Sequence, residues 1–150
     1  MRRRLALAFL LLLAVCVSAA DDPLNMELSA RAGDRQQTAS GRPAAMAESA
    51  RPSLIAHSGS SLHIRWSIVN QQKSGSVPDV TVHLVLGKAS GEAEYESAIV
   101  MDFPAQAKSS ADITAQLPPP GTYVLRLETI GAAKTHGHEH VARMDVKVLP

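Results

Sequence analysis

The sequence predicts an all-β chain, an antiparallel sandwich of about seven strands, and three observations predict it. Apolar residues recur at every second position in segment after segment. Gly, Pro, Ser and Asn clusters separate those segments at short intervals. No helical period runs longer than a turn or two. Alternation of period two is the mark of a strand with one buried face, and short strands between turn residues favour a sandwich.

The first of the 150 residues are set aside before the strands are counted. Met1-Arg-Arg-Arg4 is a basic start, Leu5 to Val17 is apolar, and Ser18-Ala19-Ala20 offers small residues for cleavage before Asp21. This is the pattern of a secretory signal peptide over 1–20, too short for the roughly 20 apolar residues a spanning helix needs. Cys16 follows Val15 rather than a small residue, which disfavours a lipid anchor there. The expected product is a secreted or periplasmic chain of bacterial type with no membrane anchor.

Within it, 21–50 is read as an N-terminal strand and a linker, and 51–150 as the sandwich domain. Leu24, Met26, Leu28 and Ala30 alternate in the first strand. Gly33 to Arg51 has few large apolar residues and no clean period, so a flexible connection is expected there. Leu62, Ile64, Trp66 and Ile68 then share one strand face, with His63, Arg65 and Ser67 on the other. Val80, Val82, Leu84 and Leu86 repeat the pattern, with Thr81, His83 and Val85 outward. Ser97 to Phe103 and Asp112 to Leu117 supply two more segments. Tyr123, Leu125 and Leu127, and finally Ala142, Met144, Val146 and Val148, complete the set. Trp66 and Tyr123 are the expected large anchors of an otherwise aliphatic core. Tyr123, after Pro118-Pro-Pro-Gly121, is placed to form a tyrosine corner, its ring buried and its hydroxyl returned to nearby backbone.

Charge and cysteine content narrow the function. Arg2, Arg3 and Arg4 leave with the leader, so 12 basic residues face 14 acidic ones, a formal charge of −2. The basic footprint of a nucleic-acid binder is absent. The single Cys leaves too, so no disulfide and no thiol chemistry is available. No nucleophile elbow, His-Glu-x-x-His helix or phosphate loop is present, and a non-catalytic role is expected. His138-Glu139-His140 with Ser109 or Ser110 does not make a hydrolytic set, because a strand puts Glu139 opposite its neighbouring histidines.

The one cluster of candidate ligands is His136-Gly-His-Glu-His140, in the last hairpin. In an extended chain His136, His138 and His140 project to one face, successive ones about 6.5–7 Å apart. A kink at Gly137 would help them converge on Cu²⁺, Zn²⁺ or Ni²⁺, with Glu139, His83 or His63 completing the shell. An incidental polar tip and a pH-responsive patch are the alternatives. Parity adds a constraint, since the three histidines share the register of Ala142 and Met144. Either a bulge intervenes or they cap the open end of the core.

Ser61-Leu62 to Trp66-Ser-Ile-Val-Asn70, then Val80-Thr-Val-His-Leu84, then Pro120-Gly-Thr-Tyr123 resemble immunoglobulin-like and fibronectin type III-like modules. Their order is closest to bacterial extracellular adhesion-related domains of the CARDB type, over about Arg51 to Leu149. The His-rich stretch stands where such domains carry an acidic, Asn-rich one. The resemblance implies an Ig-like fold and an envelope module that binds an unidentified protein or envelope partner. The rival reading is a periplasmic or extracytoplasmic metal-binding protein.

Overall fold

The computed structural model describes residues 23–44, 50–131 and 139–150. The expected signal peptide lies outside them. No described helix is long and apolar enough to cross a membrane.

Ten strands follow in order: β1 Leu24–Ala32, β2 Arg35–Ser40, β3 Arg42–Pro43, β4 Ser53–His57, β5 Ser61–Asn70, β6 Val77–Lys88, β7 Ala93–Phe103, β8 Lys108–Gln116, β9 Gly121–Ile130 and β10 His140–Leu149. They form two sheets. The first has the order β2-β1-β5-β8, and the second β3-β10-β9-β6-β7, with β4 also on β10. All pairings are antiparallel except β4 with β10, which run parallel. The fold is an all-β sandwich of ten strands rather than seven.

Seven strands stand where the sequence predicts them; β1, β5, β6, β9 and β10 bury every second side chain, while β8 only half-buries its inward residues and β7 buries only Phe103. In β5 the sequence Leu62, Ile64, Trp66, Ile68 faces inward, and Val80, Val82, Leu84, Leu86 does so in β6. Both anchors are buried, Trp66 at 7% exposure and Tyr123 at 3%. The tyrosine corner forms as expected, the Tyr123 hydroxyl donating to the Pro119 carbonyl at 2.7 Å.

The three further strands are β2, β3 and β4, and two of them lie in the stretch expected to be a flexible connection. β1 and β2 make a hairpin around Gly33-Asp34, and Gly33 has φ +61°, the positive value a tight hairpin turn needs at its first central position. At Gly41 the chain leaves the first sheet for the second. The amide of Gly41 donates to the Met26 carbonyl at 2.7 Å, and a Cβ there would sit 2.6 Å from that of Met26. No other residue fits this crossing without a shift. β3 then pairs with the start of β10 and β4 with its end, so two short strands share one edge.

Candidate functional site

His140 opens β10 opposite Thr129, and its backbone amide donates to the Thr129 hydroxyl at 3.0 Å. The pairing with β9 runs without a shift from His140 to Val148, so no bulge intervenes. His140 therefore keeps the inward register of Ala142 and Met144 and is 2% exposed. Its place is at the end of the core. Glu139 is exposed, while His136 and His138 lie outside the described residues. His83 faces away from the core, on the opposite side of the same sheet from His140. The sheet itself separates these two imidazoles, so they do not share one ion. Among the described residues, no group of three His, Cys, Asp or Glu side chains is arranged to hold a metal.

His83 has a different company. β6 lies between β7 and β9, and the register sets His83 beside Glu128 and near Glu96. Its Nδ1 is 2.8 Å from Glu128 Oε1 and its Nε2 is 2.7 Å from Glu96 Oε1. Carboxylates only accept, so two such bonds suit the ring with both nitrogens protonated. The hydrogen bond to Glu128, with that to Glu96 and both negative charges, raises the His83 pKa against the effect of burial. Arg126 reaches the other Glu128 oxygen at 3.5 Å. With a carboxylate on each side of the ring, this is a clasp across three strands rather than a convergent ligand set.

The outer face of the first sheet is polar around His63 and Arg65, and strand order turns this part into a groove of about 360 Å³. Two cross-strand rows build it. Arg31 of β1 stands between Gln36 of β2 and His63 of β5, with Thr114 of β8 beyond. Ser29 stands beside Arg65, which faces Asp112. Arg65 Nε donates to Asp112 Oδ1 at 2.6 Å, Gln36 Nε2 donates to Ser29 Oγ at 3.1 Å, and His63 Nδ1 lies 3.2 Å from the Thr114 hydroxyl. The alternation of β5 shows Arg65 and His63 as surface residues. Their meeting with Arg31 and Asp112 needs the order of four strands, which no local pattern states.

One flank of the sandwich is open. β7 pairs only with β6, and β8 only with β5, among the described strands. On the inward side of β7, Tyr95 and Met101 are only partly buried, as are Ala111 and Ile113 on β8. Ile99 is 51% exposed and Val100 64%. On the outer face Val100, Thr81 and the 45%-exposed Ile130 stand in one cross-strand row. Such an edge offers unpaired backbone groups beside apolar side chains.

No family model matches the chain, and no curated protein is detectably similar to it in sequence.

Proposed function

We propose that the protein is an exported, non-catalytic binding module of the cell envelope that takes a protein partner along β7. The observation that supports this reading is the open edge, eleven residues long, with Ile99 and Val100 exposed on its two faces. Edge strands are commonly blunted by Pro, Lys or a bulge. β7 has no Pro or Lys, and its pairing from Tyr95 to Met101 is regular. An added strand would gain main-chain hydrogen bonds along this edge and specificity from alternate side chains. Glu94, Glu96 and Asp102 put carboxylates along the edge, Glu96 shared with His83 and Glu94 with Lys88, which disfavours a second copy of β7 and suits a basic partner strand. The finer reading, an adhesion-related domain of the CARDB type, rests on the order of the Trp66–Asn70, Val80–Leu84 and Pro120–Tyr123 segments. Export rests on residues 1–20.

A photo-crosslinking amino acid at position 100, in cells that make the protein, tests the reading. One discrete adduct is expected, absent when the probe is placed at the exposed Lys147 of β10. No adduct at position 100, or the same adducts from both positions, would overturn it.

A further inference from the structure

We infer that the groove on the outer face of the first sheet is a second, small-ligand site that takes a hydroxylated carboxylate, a ligand of the uronic-acid class. It is independent of the β7 edge, which belongs to the other sheet.

Charge carries the argument first. Arg31 and Arg65 are diagonal neighbours across β1 and β5, a separation of roughly 7–8 Å. His63 sits directly opposite Arg31 and two residues from Arg65. Against these stands one carboxylate in the groove, Asp112, and it meets Arg65 through Nε alone. The terminal amino groups of Arg65 thus remain available in the fork geometry that matches a carboxylate. Arg31 has no ion pair among the described residues. Glu27 is the next carboxylate along β1, but it pairs across to Ser67 and Ser40, one row beyond the groove. Two guanidinium groups and one carboxylate leave a single positive charge, which a monoanion balances. A dianionic phosphate would instead bring excess negative charge up to Asp112.

The rest of the lining fits hydroxyl groups. Ser29, Gln36 and Thr114 present hydroxyl and amide groups that donate and accept. No Phe, Tyr or Trp lines the groove, and of its two isoleucines Ile64 is 1% exposed with its side chain in the core and Ile113 packs partly buried against it. An apolar ligand would find no wall to bury against. A volume of about 360 Å³ is at the small end of ligand clefts.

The test is a nitrogen-15 NMR titration of the purified protein with galacturonate, galactose and inorganic phosphate. Galacturonate is expected to shift the amides of Ser29, Arg31, His63, Arg65 and Thr114, while galactose, which lacks the carboxylate, leaves them in place. Arg31→Ala and Arg65→Ala should each weaken binding on the order of tenfold. Asp112→Asn should tighten it by removing the competing charge. These side chains are exposed, so an unchanged spectrum elsewhere confirms that each variant is folded. Absence of shifts with galacturonate would overturn the assignment. So would phosphate binding as tightly, or arginine variants that bind as the parent does.

Discussion

Asn70, at the end of β5 in the first sheet, donates from Nδ2 to the carbonyl of Phe103, at the end of β7 in the second, across 2.8 Å. Its Oδ1 accepts the amide of Gln72 at 3.0 Å, and its own amide donates to Ala107 at 3.0 Å. One fully buried polar residue thereby ties both sheets to the turn after β5. Replacing it removes partners from buried backbone groups, and such groups are costly to leave unmade. Asn70→Ala is expected to destabilise the fold by about 1–3 kcal/mol. A denaturant midpoint equal to that of the parent would show that water replaces the amide without loss.

The sheet crossing at Gly41 predicts a second effect. A methyl group at this position meets Met26 Cβ, close to the backbone of β1, so relief requires the strands to part. Gly41→Ala should cost about 1–3 kcal/mol, as overpacking does in dense interiors. Gly59 is the comparison for space, since a Cβ there has nothing within 4 Å, although its φ of +83° adds backbone strain. Met26→Ala removes the contacts to Cγ and Sδ, both at 3.1 Å, but keeps the Cβ, so it should cost less in the Gly41→Ala background than it does alone. Full additivity of the two losses in thermal melts would argue against the contact.

The clasp around His83 makes stability depend on pH with a definite sign. Its folded pKa is raised, chiefly by the hydrogen bond to Glu128. The stabilisation is therefore complete below the unfolded imidazole value of about 6.5 and is lost as pH rises through the raised folded value. Urea midpoints measured across this window should fall toward alkaline pH, and His83→Gln should flatten that slope. A slope unchanged in the variant would assign the pH dependence to another group.

His140 separates stability from metal binding. Its ring belongs to the core end rather than to an exposed row, so His140→Ala should lower the melting temperature and leave Cu²⁺, Zn²⁺ and Ni²⁺ affinities unaltered. Calorimetric titration of parent and variant measures both consequences. A clear loss of metal affinity on removing this imidazole would mean that the start of β10 turns it outward.

What could be read from the sequence was whatever repeats locally. β1, β5, β6, β9 and β10 announce themselves because apolar residues recur at alternate positions along each, and the tyrosine corner needs only Tyr123 and the prolines before it. β2 escapes because Arg35–Ser40 lies on a sheet edge and buries only Ala39. β3 is two residues long, and β4 contributes just Leu54 and Ala56 to the core. The inward register of His140 follows from parity along the last strand. The carboxylates on His83 and the row from Ser29 to Asp112 do not, because they join residues whose proximity depends on which strands become neighbours.

The sharing of one β10 edge between β3 and β4 has a consequence for stoichiometry. That flank is closed by two short pieces, one ending in Pro43 and the other preceded by Pro52, while the opposite flank ends in the long β7. Short strands and prolines discourage further pairing. A sheet that accepts a strand on one side and discourages it on the other is monovalent. A complex formed at β7 would therefore add one strand to this sheet and would not propagate through it into a fibre.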